Sequence, residues 1–132
     1  MALCLLQINI RNWNKNRYLL QCELSNSNPD IILVNETGLV KNNRIKIQGY
    51  NSLSKSLSPY SGVAILIKHG ILFTQIPTTD PNTIAIRTNT QIGPIIICTS
   101  YIPPRIPTLP ILQFNRILNY NLPTIFLCQF KC

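Results

Sequence analysis

The sequence predicts an α+β chain in which strands outnumber helices. Three observations point there. Short β-branched and aliphatic runs recur along the chain, bounded by Gly, Pro, Asn and Ser. Only two stretches space their apolar residues as a helix does. Hydrophobic residues make up 45% of 132 residues, enough to bury a core, in a length that suits one domain or part of one.

Leu3 to Ile10 reads as a first strand, with Leu3, Leu5, Ile8 and Ile10 around Gln7 and Asn9. Asn14 is placed to cap a helix over residues 15–26, where Tyr18/Cys22 and Leu20/Leu24 pair at i, i+4. Ser25 to Pro29 ends it. Ile31 to Val34 is the continuous aliphatic run of a strand buried on both faces, and Asn35, Glu36 and Thr37 follow at its C-terminal end. Ile45 to Leu53 is predicted as a short strand around Gly49 and Tyr50, and the Ser-rich residues 54–61 as a loop. Gly62 to Lys68 is the next strand, ended by His69 and Gly70. Thr83 to Thr88 alternates Ile84 and Ile86 with Ala85 and Arg87, as a half-buried strand does. Gln91 to Pro94 turns the chain, so Ile95 to Ser100 pairs back as an antiparallel hairpin. Tyr101 to Pro110 holds Pro103, Pro104, Pro107 and Pro110 and reads as a loop. Ile111 to Tyr120 is a second helix with Ile111, Phe114, Ile117 and Leu118 on one face. Asn121 to Pro123 break it, and Thr124 to Leu127 begins a last strand.

Twelve Lys and Arg against four acidic residues give a net charge of +8. That balance suits a polyanionic partner, nucleic acid first, with a merely solvated basic surface as the alternative. Lys15, Arg17, Lys41, Arg44 and Lys46 are dispersed and read as general surface charge. The acidic residues are Glu23, Asp30, Glu36 and Asp80, and any carboxylate-based metal site must draw on them. Glu36 alone ends a predicted buried strand. Asp30 follows Pro29, and Asp80 precedes Pro81 in a turn. Five scattered cysteines without a CxxC pair, and a single histidine, His69, argue against a structural zinc site. Cys4 and Cys98 read as small core residues. Cys128 and Cys132 have ligand spacing but no second pair. There is no GxGxxG after a strand, no P-loop and no GxSxG. The apolar start is short and lacks a basic flank, and no run approaches the roughly 20 residues of a membrane span. An intracellular setting, nucleus or cytoplasm, without membrane association is therefore expected.

Polar residues cluster at strand ends: Gln7 and Asn9 in the first, Glu36 after the second, Tyr101 after the sixth. One carboxylate, one amide and one phenol suit phosphodiester hydrolysis. The carboxylate would hold Mg²⁺, which takes one or two protein carboxylates and fills its shell with water and phosphate oxygens. Tyr101 and Asn9 would donate hydrogen bonds to phosphate oxygens. The bland readings are a solvated strand-end Glu36, an Asn9 that satisfies nearby backbone, and a Tyr101 packed on prolines.

The ordered set LQINIRN (6–12), PDIILVNET (29–37), GY (49–50), SGVAILIK (61–68), TSYIPP (99–104) and PTIFL (123–127) resembles the endonuclease/exonuclease/phosphatase family. In particular it is similar to the apurinic-endonuclease-like domain of non-LTR, jockey-like retrotransposon polyproteins, which also carry a reverse transcriptase. The resemblance spans nearly the whole chain. It implies the N-terminal half of a four-layered α/β sandwich, two packed sheets of mostly antiparallel or mixed strands flanked by helices. On that reading residues 1–132 are a partial domain truncated at the C-terminus, supplying one sheet and the first strand of the other half. An apolar sheet face would then lie bare and favour self-association.

The resemblance also implies Mg²⁺-dependent nicking of a target-site DNA duplex. Asn9 matches the family's first-strand active-site asparagine, Glu36 its metal-binding glutamate, and Tyr101 the tyrosine that contacts the scissile phosphate. The family's GDFN stretch falls on Cys128-Gln129-Phe130-Lys131. Gln129 stands where its aspartate belongs and Lys131 where its asparagine belongs. The later motifs, with an Asp and an Asp–His pair, have no counterpart in these residues, and His69 matches no catalytic position. Arg105 is a candidate DNA contact, with a solvated loop as the alternative. The 132 residues are therefore expected to be inactive alone. The competing expectations are a non-catalytic nucleic-acid-binding module and a phosphatase of the same fold.

Overall fold

The computed structural model describes residues 3–39, 43–56, 58, 61–102 and 111–130. Lys41, Arg105, Lys131 and Cys132 fall outside them. The chain runs β1 (Leu5–Asn9), α1 (Trp13–Asn26), β2 (Ile31–Asn35), β3 (Tyr50–Lys55), β4 (Val63–Lys68), β5 (Phe73–Ile76), β6 (Thr83–Thr90), β7 (Gly93–Ile102), α2 (Ile111–Leu118) and β8 (Thr124–Phe130). The strands form two four-stranded sheets, ordered β1-β2-β4-β3 and β5-β6-β7-β8. β1 lies parallel to β2, and β7 parallel to β8; the other pairs are antiparallel.

Alternation within the strands decides the layering. Ile31 and Leu33 of β2 point to the interior between the sheets, with Val63, Ile65, Ile67, Ile84, Ile86 and Ile97. Ile32 and Val34 point the other way, onto Trp13 and Leu20 of α1. All five β2 residues are buried, as a doubly covered strand requires. On the far side Ala85, Ile96 and Cys98 meet Ile117 of α2. The layers thus run helix, sheet, sheet, helix. Each buried aliphatic side chain contributes about 1.5–3 kcal/mol of transfer free energy, so these strands supply the main driving force.

The structure corrects several expectations. Among the described residues two four-stranded sheets stand where one sheet and a single further strand were expected. Their inner faces pack against each other, while Ile125, on the same face of β8 as Leu127, stays exposed at the edge. Asn12, not Asn14, caps α1: its Oδ1 accepts from the Lys15 N–H at 3.1 Å. The helix entry is set by the Asn12 and Trp13 N–H groups, which donate to the Glu36 and Thr37 carbonyls at 2.8 Å. β3 starts only at Tyr50, because a turn at Gly49 (φ 91°) separates it from Ile45, which packs on the sheet's outer face. β5 escaped the sequence reading: FTQI is a short, half-polar edge strand with little alternation to betray it. β7 runs on through Tyr101 and Ile102, and β8 through Phe130. No helix among the described residues is long and apolar enough to cross a membrane.

Burial under α2 gives Cys98 a chemical signature. Burial first, then the neighbouring Cys128 and Asp80, push its thiol from 9.0 up to about 12. The fold therefore favours the neutral thiol. The stability this contributes is fully present below the unfolded value and is lost as pH rises from 9.0 toward about 12. At about pH 8 its thiolate fraction is roughly a thousandfold below that of an ordinary thiol. Alkylation of the native chain with iodoacetamide, followed by peptide mass spectrometry, is expected to label exposed Cys4 and Cys22 long before Cys98. Equal rates at the three would contradict the packing of β7 under α2.

Candidate active site at the polar end of the sandwich

The inner faces of the strands are apolar at one end and polar at the other. Along β1 and the residues leading into it, Leu3 and Leu5 give way to Gln7 and Asn9; on β2, Ile31 and Leu33 give way to Asn35. On β7, Ile95 and Ile97 give way to Thr99 and Tyr101. One hydrogen-bonded chain joins these changes. Gln7 Nε2 donates to Asn35 Oδ1 at 3.3 Å, and Asn35 Nδ2 donates to Thr99 Oγ1 at 3.3 Å. The second bond crosses from one sheet to the other. It brings the C-terminal ends of β1, β2 and β7 to the same end of the molecule.

Three sequence-predicted residues meet there. Asn9 ends β1 as the register partner of Asn35, and its Oδ1 accepts from the Arg11 N–H at 3.1 Å. That leaves the amide nitrogen as its donor end. Glu36 follows β2, buried to 5% exposure, with a left-handed backbone at φ 56°. A non-glycine residue there is strained by about 1–3 kcal/mol and draws attention to the site. Tyr101 is 4% exposed on β7. Burial, then the negative charge of Glu36, raise its phenol above the ordinary 10.0, so it is held as a hydrogen-bond donor. Position 129 on β8 is in register with Tyr101, so a glutamine stands beside the tyrosine in the ladder. Arg105 and Lys131 lie outside the described residues.

Other residues of this end were missed in the sequence. Asn35 and Thr99 form the bridge between sheets, but in the sequence they read as ordinary strand ends. Lys55 was assigned to a loop; it ends β3, and its Nζ donates to Thr78 O at 2.9 Å, Thr78 Oγ1 at 2.6 Å and Asp80 O at 3.4 Å. Burial lowers its pKa, with Asp80 acting in the opposite sense. Asp80 itself accepts from the Thr83 hydroxyl. Asp30 lies at the opposite end, where its carboxylate takes the Cys4 N–H at 2.8 Å. Among the described residues there is no group of three or more His, Cys, Asp or Glu. The site offers one buried carboxylate among amide and hydroxyl oxygens, and a buried amide oxygen, Asn82 Oδ1, without a hydrogen-bond partner. Hard oxygen donors of low total charge fit Mg²⁺, which keeps much of its water.

Gly62 holds the Glu36 turn against the first sheet. The Gly38 N–H donates to Ser61 O at 2.9 Å, and the Thr37 N–H to Gly62 O at 3.4 Å. Gly62 has φ 116°, and a Cβ there would collide with Thr37 Oγ1 and lie 2.9 Å from Ser56 Cβ and Oγ. Gly62→Ala is expected to destabilise the chain by about 1–3 kcal/mol, read from urea unfolding. An unchanged midpoint would mean that the turn is not clamped there.

No family model and no curated protein matches the sequence. Solved structures do match the fold. The endonuclease domain of TRAS1, a telomere-specific non-LTR retrotransposon, aligns over 96% of this chain and 58% of its own length, with TM-score 0.75 and 19% identity. The Xenopus laevis APE2 catalytic domain aligns over 94% and 57%, with TM-score 0.68 and 17% identity. The 3′ phosphatase NExo from Neisseria, bound to a product DNA hairpin, aligns over 88% and 48%, with TM-score 0.58 and 17% identity. This chain therefore has the endonuclease/exonuclease/phosphatase fold and spans about half to three-fifths of the length of these neighbours.

Proposed function

We propose that these residues form one wall of a metal-dependent phosphodiesterase site acting on DNA, of the kind that nicks target duplexes for a non-LTR retrotransposon. The observation that carries the reading is Glu36, buried on strained backbone beside Tyr101 and next to the Asn9 strand end. Two of the structural neighbours support it: an endonuclease domain of a non-LTR retrotransposon and a 3′ phosphatase bound to a product DNA hairpin.

Glu36 would hold Mg²⁺, with Asn9 beside it. When bound, the cation supplies polarisation of the phosphate and stabilisation of the leaving oxygen. The chain's own residues do the rest of the binding. Tyr101 stays protonated and donates to a phosphate oxygen, and the Asn9 amide donates to another. Burial of Tyr101 strengthens its contact by lowering the local dielectric. The net charge of +8 draws the polyanion to the surface.

Hydrolysis also needs a group that activates water. Gln129, in register with Tyr101, is a neutral amide and cannot serve as a general base. The remainder of each neighbour's length has no counterpart in the 132 residues. The 132-residue polypeptide by itself is thus expected to bind cation and DNA without cutting. The non-catalytic binding module is the second reading, favoured by the same charge excess and by Gln129.

Three measurements separate these. Calorimetric titration with Mn²⁺ is expected to show binding that Glu36→Gln weakens about tenfold or more, a loss of roughly 1.4 kcal/mol or more. DNA affinity that falls steeply with salt but ignores both Mn²⁺ and Glu36→Gln would favour the second reading. Incubation with supercoiled plasmid and Mg²⁺ is expected to leave it intact. Nicking by the wild-type chain that disappears in Glu36→Ala would overturn the inactivity. For the retrotransposon origin, a reverse-transcriptase reading frame in the flanking genomic DNA is the expected finding.

A further inference from the structure

Asn82 stands just before β6, and the reading above gives its unmet amide oxygen no role. Its backbone carbonyl accepts from the Tyr101 N–H at 3.0 Å, which extends the β6–β7 ladder one step past the Thr83–Ser100 pair. Two residues along, Ile84 belongs to the interior between the sheets, so Asn82 lies on that inner face too. Cross-strand neighbours on one face have Cβ atoms about 4.5–5.5 Å apart. Asn82 therefore adjoins Tyr101, whose phenol feels the charge of Glu36.

The side chain is 6% exposed, and its Oδ1 has no hydrogen-bond partner. Asn35, at the same end, has both ends of its amide engaged. Buried acceptors are seldom left unmet, and such an atom calls for a donor. The other unmet buried atoms, Ser52 Oγ and Ser54 Oγ, are register partners of Leu66 and Ala64, on the outward face under α1. Among the described residues, Asn82 Oδ1 is the one at the polar end between the sheets.

We propose that Asn82 closes the cation site from the second sheet: its side-chain carbonyl accepts a hydrogen bond from a water in the hydration shell of the divalent ion held by Glu36. The inference rests on the metal reading above. A cation held by one carboxylate keeps most of its shell as water, and those water protons are strong donors. A neutral acceptor across the gap orients that shell without adding charge.

The test uses the 132-residue chain, Mn²⁺ as the probe, and calorimetry with thermal unfolding as readouts. Asn82→Leu removes the unmet acceptor at similar volume. It is expected to raise the melting temperature of the metal-free chain while weakening Mn²⁺ about tenfold. Asn82→Asp keeps the shape and adds a negative charge beside the shell. It is expected to tighten Mn²⁺ several-fold, and it carries the test by itself should the leucine variant fold poorly. Mn²⁺ affinities within about twofold of wild type in the variants that fold would overturn the inference and leave the metal reading standing. A wild-type chain that takes up no Mn²⁺ would overturn both.

Discussion

A primary amide with no solvent exposure is tolerated only when its groups are bonded, and Asn35 is bonded at both ends. It takes the Gln7 amide on its own sheet and gives to the Thr99 hydroxyl on the other. Leaving either partner unmet would cost about 1–3 kcal/mol, a large share of a stability of about 5–15 kcal/mol. The aliphatic interior can slide at modest cost, because dispersion and area burial are not directional. The Asn35 bridge is directional, so it fixes how far one sheet is shifted along the other. Every residue of the candidate site is placed from it. Asn9 is its register partner, Glu36 follows it in the chain, and Tyr101 lies two residues beyond Thr99 on the same face.

Glu36 depends on that bridge and on two further clamps. Its left-handed backbone would relax if the turn were free. On one side the first N–H groups of α1 donate to the Glu36 and Thr37 carbonyls. On the other, Gly38 and Thr37 donate to Ser61 and Gly62 at the entry to β4. The N–H groups at the helix entry are thus committed to the turn that carries the carboxylate, and Asn12 Oδ1 satisfies that of Lys15. Secondary structure and site geometry are one set of bonds here. That is why α1 begins at Trp13 and not beyond Asn14.

This coupling also explains what the sequence made legible. The doubly buried β2 announced itself as an unbroken aliphatic run, and the hairpin of β6 and β7 by alternation and a turn. Glu36 was visible because acids are so scarce that one at a buried strand end stands out. Long-range partnerships were not visible. Asn35 and Thr99 are 64 positions apart, and no local pattern marks an amide that will meet a hydroxyl on another sheet. Lys55 and Asn82 were missed for the same reason: the positions that give them meaning lie on other strands. The expectation of one sheet plus a single further strand failed because the β6–β7 hairpin, legible by itself, pairs with β5 and β8 in a second sheet and not with the strands before it.

The scarcity of acid has a consequence for how such a site works. Glu36 is the one carboxylate placed beside Tyr101; Asp80 is engaged by Thr83, and Asp30 lies at the far end. Gln129 adds no charge at the position in register with Tyr101. A divalent ion held by Glu36 would have half its charge uncompensated. A DNA phosphate supplies the missing negative charge and oxygen ligands at once. Cation and DNA would then raise each other's affinity by the same factor, since a binding coupling is reciprocal. The +8 surface acts in the same direction for DNA and the opposite one for the bare ion. On the proposed function, the charge balance would set an order of preference: the cation would favour the DNA complex over the free chain, and the basic surface that repels the ion would recruit its remaining ligands.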